Sequence, residues 1–173
     1  MIHRSELATA RLRVRPFVAD DRDALVALFA DSRVARYVGD GRPLTAVDAE
    51  LWVVRSRANL AQHGYGTGAA VDCAGNLVGW AGFARPEGEQ EIIYGLAADH
   101  WGRGYGRELL QALLRFADAR GIDPVKATVD PANAASIHLL WSSGFRRAVG
   151  SAGEDADTHV YYRLRDESIP ASA

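Results

Sequence analysis

Apolar and basic side chains alternate over residues 9 to 17, with Leu12 and Val14 on one face and Arg11, Arg13 and Arg15 on the other. A period of two predicts an opening β-strand whose arginine face meets solvent. The period then lengthens: Ala24, Leu25, Leu28 and Phe29 recur at helical spacing behind Asp20 and Asp21, either of which can cap the helix. After a loop over residues 39 to 44 that contains glycine and proline, Thr45 and Asp48 read as a capping box for a second helix running to about His63. Gly64 and Gly66 end it. Residues 68 to 72 and 76 to 84 then form a hairpin around a turn at 73 to 76. A turn holding Pro86 and Gly88 leads into a third strand of the meander, residues 90 to 97.

Leu109, Leu110, Leu113, Leu114 and Ala117 restore the helical stripe, which stops at Gly121. A strand at 125 to 129 follows, then a helix capped by Asp130 and Pro131, with Ile137, Leu140 and Trp141 apolar, ending at Gly144. Two last strands, 145 to 149 and 159 to 164, flank an acidic loop at 150 to 157. The order β-α-α-β-β-β-α-β-α-β-β carries no repeat or internal linker. It predicts an α/β (α+β) fold, a single mixed, mostly antiparallel twisted sheet of about seven strands with helices on both faces. One domain spans 9 to 165, and a flexible C-terminal tail, 166 to 173, is expected to fray.

Composition narrows the class. The 173 residues are 48% hydrophobic and 24% charged, with a net charge of -2, an ordinary globular balance without a basic field that would draw nucleic acid or a membrane. Cys73 is the only cysteine, so no intrachain disulfide or Cys/His metal cluster is expected. The N-terminus lacks the apolar core of a secretory signal and no apolar run spans a bilayer, which implies a cytoplasmic protein. His3, His63, His100, His138 and His159 are scattered and read as surface or packing residues; Trp52, Trp80 and Trp141 fit core or groove walls.

The run Trp101-Gly102-Arg103-Gly104-Tyr105-Gly106 leads from a strand into a helix N-terminus. Glycines allow tight turns there, and free N–H groups at a helix start make a nest for phosphate oxygens, although such glycines also serve as plain loop punctuation. No Gly-Lys-Ser/Thr follows, and the third glycine and acidic residue of a dinucleotide fingerprint are missing. Nucleotide hydrolysis and hydride transfer therefore lose ground to a pyrophosphate cradle. Arg103, Arg107 and Tyr105 mix basic and aromatic character, but the acidic net charge argues against a nucleic-acid module.

Taken jointly, Glu91-Ile92-Ile93-Tyr94-Gly95-Leu96, the run from Trp101 to Gly106, Asn133-x-x-Ser136 and Gly144-Phe145 resemble the acetyl-CoA motifs of the GNAT superfamily. The RimJ/RimL-like branch, related to ribosomal-protein N-terminal acetyltransferases, is the most similar. The resemblance runs from Thr9 to about Arg165 and includes the element order. It implies the GNAT fold, acetyl-CoA as co-substrate without a metal, and pyrophosphate contacts from backbone amides of Gly102, Arg103, Gly104, Tyr105, Gly106 and Arg107. Trp101 departs from the family's Arg or Gln, although tryptophan is familiar there in the RimJ/RimL-like branch.

Further roles follow from the same resemblance. The main chains of Leu96 and Ala98, ending the third meander strand, match positions that pair with pantetheine; the fourth and fifth strands must then splay apart, and Gly95 suits a bulge there. A main-chain amide near Leu96 would polarise the thioester carbonyl. Asn133 and Ser136 match positions reaching the pantetheine arm, with Asn133 equally suited to a helix cap. Glu91, sharing a face with Ile93 and Gly95, matches a position used as general base, against the plain alternative of a strand glutamate. The family's acidic tyrosine is replaced by Leu140; Ser136 is the substitute, with Tyr94, Tyr105, Tyr161 and Tyr162 as further candidates.

The implied activity is acetyl transfer to a primary amine, foremost a protein or peptide N-terminal α-amine. A small amine such as a polyamine, amino acid or antibiotic, and a non-catalytic acyl-CoA-binding regulator, are the alternatives. Partners are then the amine acceptor, with neither nucleic acid nor membrane, and the chain is a monomer or homodimer. The acceptor groove falls between residues 33 to 44 and 150 to 157, where Glu154, Asp155 and Asp157 either attract a cationic amine or form a solvated loop.

Overall fold

Eight strands form one sheet among the described residues, which are 7 to 84, 88 to 148 and 158 to 164 of the computed structural model. In chain order the elements are β1 (Leu7–Ala8), β2 (Leu12–Pro16), α1 (Asp21–Phe29), α2 (Ser32–Ala35), α3 (Ala46–His63), β3 (Thr67–Asp72), β4 (Leu77–Ala84) and β5 (Glu91–Leu96), followed by α4 (Tyr105–Arg120), β6 (Val125–Val129), α5 (Ala134–Ser142), β7 (Arg146–Arg147) and β8 (His159–Arg163). The spatial order is β1-β2-β3-β4-β5-β6-β8-β7. Each neighbouring pair is antiparallel except β5 and β6, which run parallel with α4 as their crossover.

Alternation along the strands divides the interior into two layers. Leu12, Val14, Phe83, Ile92 and Leu96 join the leucines of α4 and Leu140 of α5 in one cluster. Phe17, Val71 and Trp80 meet Leu25 and Phe29 of α1 and Val53 of α3 in the other. Thr45 caps α3 as its spacing implied, accepting a hydrogen bond from the Asp48 N–H at 3.1 Å.

Several local expectations change. The first strand is shorter than 9 to 17, and β1 and α2 are additional short elements. Of the three alternating arginines, Arg13 is exposed, but Arg15 forms a two-point ion pair with Asp21, at 2.7 and 2.9 Å. Asp21 is therefore turned away from capping α1, and Asp20 at the cap position makes no side-chain cap bond either. The register shift lies in the β3–β4 pair, where Val78 of β4 is the extra residue opposite Ala70 and Val71 of β3, and not at Gly95. Gly95 pairs in register with Trp80, and a Cβ on it would lie 2.2 Å from the Trp80 ring, so glycine here makes room for the indole. Trp80 and Trp52 are packed against Phe29, while Trp141 is 60% exposed. The turn at Pro86, the acidic loop with Glu154, Asp155 and Asp157, and the tail from 166 lie outside the described residues.

Candidate functional site

The ladder between β5 and β6 contains a single register pair, Glu91 with Lys126. Beyond it the two strands part. The Ala97 N–H donates to the Val78 carbonyl, which makes Gly79 and Leu96 a non-hydrogen-bonded pair of the antiparallel β4–β5 ladder. By alternation Tyr94 and Leu96 direct their main-chain groups away from β4, into the gap that opens toward the end of β5. The result is a wedge, closed at Glu91 and open at Leu96. At its closed end Lys126 also pairs with Glu89 at 3.3 Å.

The open mouth lies beside the start of α4. Gly102 and Gly104 both have left-handed φ, 72° and 79°, which glycine adopts without the Cβ clash that other residues meet. The second is the N-cap of α4. The first-turn amides of Tyr105, Gly106 and Arg107 have no preceding-turn carbonyl to bind, and the first intrahelical bond is Glu108 N–H to the Gly104 carbonyl. Arg103 and Arg107 are exposed. A Cβ on Gly106 would meet Leu139 Cδ1 at 3.1 Å, so this glycine also lets α4 approach α5.

Two side chains that residue patterns did not single out, Arg11 and Glu108, brace this cradle. The Arg11 guanidinium lies 4.4 Å over the Tyr105 ring, donates to the Arg103 carbonyl at 2.9 Å and pairs with Glu108 at 2.8 Å. The Glu108 carboxylate also accepts the Thr9 hydroxyl and the Arg11 main-chain N–H. Burial pushes the Glu108 pKa up, but these hydrogen bonds and the Arg11 charge outweigh it and hold the carboxyl below its ordinary value. A depressed folded pKa stabilises the protein above the unfolded carboxylate pKa of about 4.3, and that contribution is lost as pH falls through the folded value. The unfolding free-energy difference between wild type and Glu108→Gln is therefore expected to be constant near neutrality and to shrink in acid. Urea titrations between about pH 3 and 7 check this; a gap independent of pH would contradict it.

Leu96 ends β5, but Ala98 belongs to the 3-10 turn Ala98–His100 that follows, not to the strand. Chain direction changes there because Ala97 binds back to Val78 and His100 N–H binds the Ala97 carbonyl. The Leu96 carbonyl is claimed by the Trp101 indole N–H at 2.9 Å, while its N–H faces the wedge. The exposed tryptophan thus ties the glycine loop to the strand. His100 stacks on Tyr105, with ring centroids 6.0 Å apart.

Across the wedge, Asn133, and not Asp130 with Pro131, is the N-cap of α5: its side-chain carbonyl accepts the Ser136 N–H at 3.1 Å. The Asp130 carboxylate instead accepts the Ala132 N–H at 2.7 Å, shaping the turn before the helix. Ser136 meets Tyr94, whose hydroxyl lies 3.4 Å from Oγ. Leu140, one turn on, is fully buried. Glu91 is on the opposite face of β5 from Tyr94 and five residues from Leu96, roughly 17 Å of extended strand. The segment after α1 borders the open end: Arg33 approaches Asp99 at 3.7 Å and the Tyr37 hydroxyl donates to the Ala132 carbonyl at 3.4 Å.

This arrangement offers amides for a diphosphate, a seam of main-chain groups for an extended amide-containing arm, and polar side chains flanking it. Among the described residues no group of three or more His, Cys, Asp or Glu side chains could hold a metal ion, and no helix is long and apolar enough to cross a membrane.

Comparisons with known proteins point to one family. A family model described as an acetyltransferase (GNAT) domain matches residues 11–146. An uncharacterized N-acetyltransferase, p20, of Bacillus licheniformis is 29% identical over 147 residues, 82% of each chain. An L-methionine sulfoximine/L-methionine sulfone acetyltransferase of Pseudomonas aeruginosa is 37% identical over 91 residues, 49% of this chain and 53% of that one. Among solved structures, the ribosomal L7/L12 α-N-protein acetyltransferase RimL in complex with coenzyme A shares the fold, with TM-score 0.75 at 19% identity over 92% of this chain and 98% of that one.

Proposed function

We propose, from the premise that the chain belongs to the GNAT acetyltransferase family and transfers an acetyl group from acetyl-CoA to an amine, that its acceptor is an α-amino group, foremost that of a peptide N-terminus. The single observation that carries the site assignment is the wedge between β5 and β6 with its mouth beside the free amides of α4. Acetyl-CoA supplies a thioester, a carbonyl activated toward an amine by a thiol leaving group.

In this reading the amides of Gly102 to Arg107 hold the diphosphate, favoured by the positive end of the α4 dipole. The arm lies along the wedge, paired with the free main-chain groups of β5 as an added strand would be. The turn at Ala98 and the side chain of Asn133 border it. The Leu96 N–H polarises the carbonyl oxygen, the task that a fixed donor performs best where charge develops. The acceptor enters from the α1–α3 face, past the segment holding Arg33 and Tyr37. Glu91 is on that face, and because about 17 Å of strand separates it from Leu96 it takes the amine's surplus proton only through a chain of several waters. Ser136, on the other face, serves the leaving sulfur.

The peptide reading draws on the shared fold with RimL, and a free amino acid as acceptor is favoured instead by the 37% identity to the L-methionine sulfoximine acetyltransferase. Thiol release from acetyl-CoA, followed with short peptides, free amino acids and polyamines in parallel, separates them. Peptides carrying a free N-terminus are expected to turn over, and their N-acetylated forms are not. Turnover of free amino acids alone would move the assignment to the second reading; turnover of polyamines alone would end both.

Calorimetry tests the cradle separately. Alanine in place of Gly104 must either hold a left-handed conformation, at about 1–2 kcal/mol, or let the loop rotate its amides out of line. CoA affinity is expected to fall several-fold, up to about tenfold. Unchanged affinity would remove the diphosphate from this place.

A further inference from the structure

We propose, resting on the acetyl-transfer reading above, that Tyr94 positions the hydroxyl of Ser136 toward the sulfur of acetyl-CoA, so that the pair stabilises the departing thiolate.

The two side chains come from elements 42 residues apart and meet at 3.4 Å where the wedge opens. Tyr94 is on β5 between Glu91 and Leu96, its ring packed against the cluster that contains α4 and Leu140, its main-chain groups turned into the wedge. Ser136 occupies the first turn of α5, where its N–H is already bound to Asn133. That bond fixes the turn and leaves the hydroxyl as the polar group that Ser136 presents toward β5. No other polar side chain of α5 competes nearby on the same stripe, because the next position, Leu140, is apolar and fully buried.

Tyr94 is taken as the donor and Ser136 Oγ as the acceptor of their hydrogen bond. Either hydroxyl can donate across this contact; a phenol is the more acidic of the two and so the better donor, and burial, which pushes its pKa up against a smaller downward pull from Ser136, keeps it protonated. When it donates to Oγ, the Ser136 O–H points elsewhere, and a donor whose oxygen accepts a hydrogen bond is itself polarised. A separation of 3.4 Å is long for two hydroxyls, and catalytic hydrogen bonds of this kind tighten when the site fills. In the transfer the amine nitrogen bonds to the carbonyl carbon while the carbon–sulfur bond breaks and its electron pair stays on sulfur. The surplus proton leaves from nitrogen to the base side. Ser136 donates a hydrogen bond to the thiolate and keeps its proton, and Tyr94 acts through Ser136 as a positioning residue.

The test needs no acceptor. With the whole chain saturated by CoA, the ultraviolet absorbance of the thiolate is followed against pH, and calorimetry measures CoA affinity for each variant. A hydrogen bond to the charged form favours it, so the bound thiol is expected to ionise about one pH unit below free CoA titrated in the same buffer. Tyr94→Phe and Ser136→Ala each return it toward the free value, and Tyr94→Phe, which leaves the main chain of β5 as it is, keeps CoA affinity at neutral pH within about twofold. The double variant goes no further than Ser136→Ala, and Ser136→Thr, which keeps a hydroxyl, retains the lowered value.

Bound CoA with the same thiol pKa in wild type and Tyr94→Phe overturns the proposal, as does a shift confined to Ser136→Ala, which leaves the serine acting alone. A Tyr94→Phe protein that loses CoA affinity as well assigns the ring a structural role and also overturns it. Wild type that fails to bind CoA sinks the acetyl-transfer reading first, a result distinct from the others.

Discussion

Replacing Gly95 by alanine is expected to cost about 3 kcal/mol of folding stability, the upper end of what overpacking a core usually costs. The added Cβ would stand 2.2 Å from Cη2 and Cζ2 of Trp80, where carbon atoms never pack. The indole has nowhere to go. It is 4% exposed, with Phe29 at 4.9 Å and Trp52 at 5.8 Å between ring centroids. Relief must therefore come from β5 moving off β4, and Gly95 immediately precedes the residue whose N–H faces the wedge. CoA affinity should fall together with stability. Urea unfolding measures the first and calorimetry the second. A Trp80→Leu change in the same chain should recover part of both losses, and this coupling separates the indole clash from a general intolerance of alanine in the strand. Additive losses from the two changes would show that the clash is not the cause.

Asp21→Ala is expected to lower stability by about 3 kcal/mol. Asp21 is 5% exposed and accepts three hydrogen bonds, two from Arg15 at 2.7 and 2.9 Å and one from the Val18 N–H at 2.8 Å. Its removal takes both carboxylate bonds from the guanidinium, which keeps its bond to the Pro16 carbonyl at 3.0 Å, and leaves the Val18 N–H without this acceptor. Breaking a buried pair by deleting one partner costs about 3–5 kcal/mol; the lower figure applies because the Arg15 side chain keeps 23% of its exposure. For a domain whose total stability is about 5–15 kcal/mol, the shift in urea midpoint is large at unchanged slope. Changing both residues, Arg15→Met with Asp21→Leu, removes the stranded charge and should restore most of the loss. A cost below about 1 kcal/mol for Asp21→Ala would class the pair with exposed surface bridges.

The same two positions show where residue patterns misdirect. Period-two alternation correctly located β2, and with it Leu12 and Val14 in the core, but it treated Arg11, Arg13 and Arg15 as one solvated face. Arg15 is committed to Asp21, six residues away, and Arg11 to Glu108, 97 residues away. An aspartate at a helix start suggests a cap, and only the packing of α1 against the end of β2 shows that its carboxylate is already engaged. Gly95 was legible as a special position, though its cause was not: a bulge and a missing Cβ opposite an indole leave the same glycine in the sequence.

Local spacing was enough to read the order of the longer elements, the helix stops at Gly64 and Gly121, the cap at Thr45, the glycine turn that opens α4 and the buried leucines of α4. Those features depend on residues within one helical turn or one strand of each other, so they are written as local spacing. The tertiary structure decided the wedge between β5 and β6, the Arg11 brace on the cradle and the meeting of Tyr94 with Ser136. These depend on strand register and on which layers pack together, and side chains separated by 42 or 97 residues carry no mutual spacing that the chain could display before it folds.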